Sequence, residues 1–220
     1  PLILHQNTGW LFGKHFCLQD RKVCYKIAVE IYQKREEHPM RILPEETRCI
    51  VIDYQEKILP AMANREELMK NSVTLLSGLK ELEIPMTLTT QYAKGLGLNV
   101  KEITDAIGSE EYFDKKSFSA YGVPEVAKLL DEDETRKNVI ICGIEAHVCV
   151  LQTIMDLSAA GYQPILVEDC VSSRNPHDMD MAIKRAAVEG ALITTKEALL
   201  FELLQGASSV HFKQISALIK

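Results

Sequence analysis

The sequence lacks long hydrophobic runs and clusters of basic residues, and each absence excludes a class of protein. No apolar run reaches the ~18 residues expected of a membrane-spanning helix, and the most hydrophobic stretch, residues 139–151, is interrupted by Glu145 and His147. The net charge is −6, and neither Lys nor Arg forms a long block. Because binding to a phosphate backbone needs clustered cations, we expect no nucleic-acid partner and no membrane partner.

Paired cysteines and a secretory signal are also missing. The six cysteines form no CxxC pair, and the first residues show no charged, apolar and small-residue pattern of a signal peptide. A redox enzyme of the CxxC type is therefore excluded. We expect reduced thiols and a cytoplasmic location.

The length and composition predict one large domain preceded by an extension. The chain has 220 residues, of which 46% are hydrophobic, enough for a three-layer core. A domain-like pattern begins at Met40, so we assign residues 40–220 to the domain and residues 1–39 to an N-terminal extension of uncertain role. Within the extension, Val23, Ile27 and Ile31 recur every four residues, which is compatible with a helix.

From Met40 onward, strand and helix patterns alternate. Apolar runs predict strands at residues 49–53, 86–90, 138–144, 164–168 and 191–194. Helices are predicted from residue 64, near 103, at 124–130, 148–160 and 178–189, from 194 to 204 and near 215–219, with capping boxes at Asn64/Glu67 and Thr194/Glu197. This order indicates an α/β fold with a parallel sheet covered on both faces. Ligands bind such sheets at the carboxyl ends of the strands. Asp53, residues 89–92 and residues 143–149 lie at those ends.

Asp53 is the last residue of a buried strand. There a partly desolvated carboxylate can have its pKa adjusted for proton transfer. The alternative is a structural Asp that caps a helix or stabilises a turn.

Cys149 lies where the strongest strand, residues 138–144, leads into a helix. The positive end of the helix dipole favours a thiolate in the first turn, and free backbone N–H groups there can stabilise an oxyanion. The alternative is a buried structural cysteine. His147 and Cys149 do not indicate a zinc site, because no third ligand stands at a supporting spacing. We therefore expect no metal and no cofactor.

Lys115 and Lys116 form a pair of lysines in the loop segment 113–119. A lysine near Asp53 and Cys149 would favour both anions and could orient a substrate carbonyl. By itself, such a pair is also typical of an exposed surface loop.

Three motifs in order resemble the isochorismatase-like cysteine hydrolase family: IVIDYQ at residues 50–55, KKSFSA at 115–120 and GIEAHVCV at 143–150. The resemblance runs from about Cys49 to about Leu204. It implies a three-layer, Rossmann-like α/β/α sandwich with a six-stranded parallel sheet, a homo-oligomer, and a catalytic triad of Asp53, Lys115 and Cys149. Lys115 is preferred to Lys116 because it stands three residues before Phe118.

The resemblance also implies how the site works. A non-proline cis peptide is expected between Ile144 and Glu145, and the backbone of the Glu145–Ala146 turn is expected to help hold an oxyanion. Because isochorismatases proper lack the cysteine, Cys149 favours hydrolysis of a small carboxamide or related acyl compound. The candidates for the walls of the substrate pocket are Tyr54, Tyr92, Phe118 and His147.

Two other functions stay open on the sequence alone. One is a non-catalytic binding or scaffold protein that keeps the fold. The other is a nuclease, a label attached to some near relatives in the family. The net charge of −6 argues against the nuclease.

Overall fold

Six strands form one parallel sheet in the computed structural model, which describes residues 41–220 of the chain. The strands are β1 (Thr47–Ile52), β2 (Met86–Gln91), β3 (Phe113–Lys115), β4 (Asn138–Ile144), β5 (Gln163–Ser172) and β6 (Leu192–Thr194). Their order across the sheet is β3-β2-β1-β4-β5-β6, and every neighbouring pair is parallel. The predicted extension, with its pattern at Val23, Ile27 and Ile31, lies outside the described residues.

Helices connect the strands. They are α1 (Arg65–Glu81), α2 (Ala93–Leu96), α3 (Lys101–Ile107), α4 (Pro124–Asp131), α5 (Leu151–Ala159), α6 (Pro176–Val188), α7 (Lys196–Leu204) and α8 (Phe212–Ile219). A π-helical turn, Ala146–Val150, stands between β4 and α5. Within residues 41–220, no helix is both long enough and apolar enough to cross a membrane.

The two faces of the sheet are covered by different helices. In β1, Cys49 and Val51 pack in the cluster that contains the apolar residues of α1, α3, α7 and α8. The alternate residues, Ile50 and Ile52, pack in the cluster that contains those of α4, α5 and α6. All six residues of β1 are buried, as expected of a strand covered on both faces. The three-layer α/β/α sandwich and its six-stranded parallel sheet are therefore confirmed.

Strand β3 was not predicted from the residues themselves. It has only three residues, Phe113–Lys115, and two of them carry a charge, so no apolar run marks it. It pairs with β2 at the edge of the sheet, where Lys115 is the register partner of Gln91. Strand β5 also extends four residues beyond the predicted end at Glu168, because polar residues at 168–169 interrupt its apolar pattern without ending its pairing.

Both predicted capping boxes are wrong in detail. Asn64 precedes α1 in a left-handed conformation, with φ of 50°, and its side chain makes no capping hydrogen bond. Asn tolerates that conformation better than most residues. At α7 the capping residue is Thr195, whose side chain accepts a hydrogen bond from the N–H of Ala198. Thr194 is instead the last residue of β6, so the helix starts one residue later than predicted.

Gly143 permits the close approach of β1 and β4 at the edge where both strands end. It pairs with Ile52, and a Cβ atom added to Gly143 would lie 2.5 Å from the carbonyl oxygen of Ile52. Its φ of +151° is also rarely adopted by residues with a side chain. Asp53 follows Ile52 and Glu145 follows Ile144, so this glycine sets the spacing of the two segments that leave the sheet here.

We expect Gly143→Ala to lower the free energy of unfolding by about 3 kcal/mol, because the new methyl group meets backbone and takes a strained φ. Urea unfolding followed by circular dichroism measures this loss. Gly161→Ala is the matched control: Gly161 has φ of +84° but nothing within 4 Å of an added Cβ. It should lose only about 1 kcal/mol. Equal losses in the two variants would contradict the close-approach explanation.

Candidate active site

Asp53 leaves the sheet directly after β1 and turns its carboxylate into a buried position. Its φ of 59° is left-handed, and only 1% of the residue is exposed. Thr89 of β2 holds it twice: the Thr89 hydroxyl donates to Asp53 Oδ1 at 2.9 Å, and the Asp53 N–H donates to the Thr89 carbonyl at 3.3 Å. The neighbouring strand therefore fixes both the backbone and the side chain of Asp53.

Lys115, the last residue of β3, forms a buried ion pair with Asp53. The residue is 1% exposed, and its Nζ lies 2.6 Å from Asp53 Oδ2. The same Nζ donates to Gln91 Oε1 at 2.6 Å. Lys116 is exposed. Of the two lysines, Lys115 is thus the one that the fold places against Asp53.

Cys149 lies in the π-helical turn that follows β4. Turns of this kind are rare in proteins, and those that occur often lie at functional sites. The residue is 5% exposed. The Thr153 hydroxyl donates to the Cys149 carbonyl at 2.7 Å and accepts from the N–H of Ala120 at 2.9 Å. Thr153 therefore ties the turn that carries Cys149 to the segment that follows Lys115.

The surroundings of Cys149 raise the pKa of its thiol. Burial is the largest cause that raises its pKa, to about 12, and the negative charge of Asp53 raises it further, whereas the charge and hydrogen bonding of Lys115 lower it. Burial and the charge of Asp53 therefore oppose the thiolate that the start of the helix was expected to favour.

The turn between β4 and Cys149 is held by the residues that follow β5. Glu145 has φ of 57° and ψ of 56°. Its Oε1 lies 2.7 Å from Arg174 Nε, and its Oε2 lies 3.5 Å from His147 Nδ1. The His147 ring also shares a hydrogen bond of 2.9 Å with the Ser173 hydroxyl. The segment entering the π-helical turn is thus fixed by the residues that follow β5.

The expected cis peptide between Ile144 and Glu145 is not found. All peptide bonds in the described part of the chain, residues 41–220, are trans. The left-handed conformation of Glu145 makes the change of direction instead. A non-proline cis bond costs about 3–4 kcal/mol, and a trans bond with one left-handed residue avoids that cost.

The four residues that were predicted to line the substrate pocket lie in different environments. Tyr54 belongs to the core: it is fully buried, and its hydroxyl lies 2.7 Å from Ser72 Oγ and donates to the Cys170 carbonyl at 2.8 Å. Tyr54 cannot be a pocket wall, because it points into the layer under α1. Tyr92 and Phe118 are 53% and 51% exposed, and His147 is partly exposed.

Several residues of the site were not predicted individually. The carboxyl end of β2 was identified as a ligand-binding edge, and Thr89 and Gln91 there contact Asp53 and Lys115. Thr153 and Arg174 carried no signal in the sequence, because their partners Cys149 and Glu145 are reached only through the fold.

The sequence matches a known protein family over most of its length. A family model described as the isochorismatase domain matches residues 47–198. A secreted isochorismatase effector of Phytophthora sojae is 39% identical over 184 residues, covering 82% of this chain and 87% of that protein. Isochorismatase domain-containing protein 2A of Mus musculus is 37% identical over 180 residues, covering 82% and 85%.

Solved structures share the fold. A structure described as the MAR1 ribonuclease of Caenorhabditis elegans has a TM-score of 0.77 and 37% identity, covering 82% of this chain and 92% of that chain. The YcaC protein of Pseudomonas aeruginosa has a TM-score of 0.76 and 21% identity, covering 81% and 90%. At that lower identity the likeness concerns the fold alone.

The charges around Cys149 predict opposite effects of two substitutions on its titration. In the native protein, we expect the rate of Cys149 alkylation by iodoacetamide to rise through pH 10 without a plateau, because the thiol pKa is about 12. Asp53→Asn removes a negative charge that disfavours the thiolate, so the midpoint should fall. Lys115→Met removes the favourable cation, so the midpoint should rise. Peptide mass spectrometry measures each rate against pH.

Asp169→Asn is the matched control for that measurement. Asp169 forms a similar ion pair, 3.1 Å from Lys196 Nζ, but it is not among the groups that act on Cys149. The control should leave the midpoint of Cys149 unchanged. A native midpoint near the ordinary value of about 8.5, or a rise in the midpoint of Asp53→Asn, would contradict the electrostatic description of the site.

Proposed function

Because the chain belongs to the isochorismatase domain family, we propose that it is a cysteine-dependent hydrolase that acts on a small carboxamide or a related acyl compound. The observation that carries this proposal is the buried Asp53–Lys115 ion pair, whose two charges shift the pKa of the Cys149 thiol. A nucleophile, a base and a cation at one edge of the sheet are the components of covalent acyl transfer.

The first step is transfer of the thiol proton to Asp53. A thiol with a pKa of about 12 needs a base in contact with it. Asp53 Oδ1 accepts the hydroxyl of Thr89, whereas among the described residues no aligned hydrogen-bond donor engages Oδ2, which contacts Lys115 as an ion pair. Oδ2 therefore keeps a lone pair for the proton. The Lys115 ammonium then lies beside the new thiolate and stabilises it.

The thiolate next attacks the acyl carbon, and the carbonyl oxygen becomes an oxyanion. Backbone N–H groups at the Glu145–Ala146 turn and at Cys149 stabilise this charge, since the first turn of a helix leaves such donors without intrahelical partners. Asp53 returns its proton to the leaving amine, and a thioester on Cys149 remains. Asp53 then removes a proton from water, which attacks the thioester, releases the acid and restores the thiol.

Burial of the site limits the size of the acyl group. Asp53, Lys115 and Cys149 are each at most 5% exposed. A bulky or polymeric acyl group cannot reach a sulfur atom that is covered to this extent. The exposed rings of Tyr92 and Phe118 follow β2 and β3, the strands beside Asp53, so we propose them as outer walls of the entrance, with His147 on the side of β5.

A ribonuclease is the second candidate, and the similarity to the C. elegans protein described as a MAR1 ribonuclease favours it. Against it stand the net charge of −6 and the burial of the three candidate catalytic residues. RNA binding depends on cations and weakens steeply with salt. Cleavage of a labelled RNA that persists in Cys149→Ala and falls with rising salt would favour this second function over acyl hydrolysis.

A scaffold role is less well supported, because a binding protein has no need for a buried ion pair whose desolvation is costly. We also propose a cytoplasmic location and a homo-oligomer, as expected from the sequence; one relative is described as a secreted effector. Light scattering of the purified protein measures the oligomer directly.

We expect Cys149→Ala to reduce turnover by at least about 10³-fold, because it removes the nucleophile. Ammonia release from a panel of small primary amides, followed with purified protein, measures this effect. Cys170→Ala is the control, since Cys170 is a fully buried thiol in the opposite core cluster, and it should keep native turnover. An amide hydrolysed equally well by Cys149→Ala and the native protein would show that the thiol does not form the intermediate.

A further inference from the structure

The Gln91 side chain touches the ammonium group of Lys115 in a fixed orientation. Gln91 Oε1 accepts from Lys115 Nζ at 2.6 Å. Its Nε2 donates to the carbonyl oxygens of Lys115 and Lys116, each at 3.2 Å. Because carbonyl oxygens accept only from the amide nitrogen, the oxygen of this amide has to face the ammonium.

Gln55 holds the backbone of Gln91 in turn. Gln55 is fully buried. Its Oε1 accepts from the Gln91 N–H at 2.7 Å, and its Nε2 donates to the carbonyls of Gln91 and Gly97 at 3.1 and 2.6 Å. Strand β1 ends at Ile52, which pairs with Thr89. Beyond Ile52, β1 offers no backbone partner to Gln91, the last residue of β2. The Gln55 side-chain amide therefore makes the hydrogen bonds to the Gln91 backbone instead.

An ammonium group has three N–H donors in a tetrahedral arrangement. In Lys115, the ammonium donates to Gln91 Oε1 at 2.6 Å, and its Nζ lies 2.6 Å from Asp53 Oδ2 as an ion pair. These two contacts hold the ammonium in place. The positive charge of this lysine also lowers the pKa of the Cys149 thiol. The position of that charge is thus set jointly by Asp53 and Gln91.

We propose that Gln91, held in place by Gln55, is a positioning residue that holds the Lys115 ammonium where its charge stabilises the thiolate of Cys149. This inference rests on the proposed triad and adds a residue to it. Gln91 acts through Lys115 and performs no chemistry itself. Without its oxygen, the ammonium turns toward Asp53 alone, and the thiolate that forms during the reaction loses part of its stabilisation.

The test is Gln91→Met, which keeps the length of the side chain but replaces the amide oxygen with a weak acceptor. We expect the midpoint of Cys149 alkylation to rise by about one pH unit, which slows alkylation at pH 9 by about tenfold. On any amide that the native protein hydrolyses, kcat should fall by a similar factor with KM unchanged. The second variant is Gln91→Asn, whose side chain is one methylene shorter, so that its oxygen does not reach Lys115. It should give the same loss, and it replaces Gln91→Met in the test if that variant does not fold.

Gln163→Met is the matched control. The Gln163 side chain also donates to two carbonyls, of Pro164 and Gly190, but it lies at the opposite, amino-terminal end of β5. This variant should keep the native alkylation profile. If it slows Cys149 as much as Gln91→Met does, the effect is a general one on the fold, and the inference is wrong.

A double-mutant cycle separates positioning from a structural role. In a Lys115→Met background, Gln91→Met should change the alkylation rate of Cys149 by less than about twofold, because the group that it orients is gone. A tenfold loss in both backgrounds, or no loss in either, would overturn the inference. If native Cys149 instead reacts like an ordinary exposed thiol, the proposed function itself fails, which is a distinct outcome.

Discussion

The structure around the candidate site depends on one buried ion pair, between Asp53 and Lys115. Removing two charges from water costs several kcal/mol for each ion, so the pair is tolerated only where other groups complete its contacts. Strand β2, which lies between β1 and β3, provides them: Thr89 donates to Asp53, and Gln91 accepts from Lys115. This requirement gives a physical reason for β3, whose three residues carry almost no apolar signal.

The thiol approaches the ion pair from the other side of β1. Strand β4 is the neighbour of β1 there, and Gly143 lets the two strands meet closely just before Glu145 turns the chain. Burial raises the pKa of the Cys149 thiol, which disfavours the thiolate. Such an arrangement protects the thiol from oxidation and unspecific alkylation, since the thiolate is the reactive form. In the proposed mechanism, the sulfur becomes reactive only when it attacks a substrate while Asp53 accepts its proton.

Much of this structure was predictable, and the parts that were not have identifiable causes. Strands β1 and β4 are continuous apolar runs, and the three motifs in order predicted the family and its sheet. By contrast, Tyr54 was predicted to line a pocket, yet the turn at Asp53 directs it into the core. The contact between Arg174 and Glu145 joins the ends of two strands, and the sequence does not show which side chains meet there.

The most direct test of the ion pair's central role is the coupling free energy between Asp53 and Lys115. It is obtained from urea unfolding of the native protein, Asp53→Asn, Lys115→Met and the double variant. Each single change leaves a buried charge without its partner, so each should cost about 3–5 kcal/mol. The double variant should cost less than their sum by at least about 2 kcal/mol. Losses that add to within about 0.5 kcal/mol would show that the two charges are independent, and would contradict the ion pair as the organising element of the site.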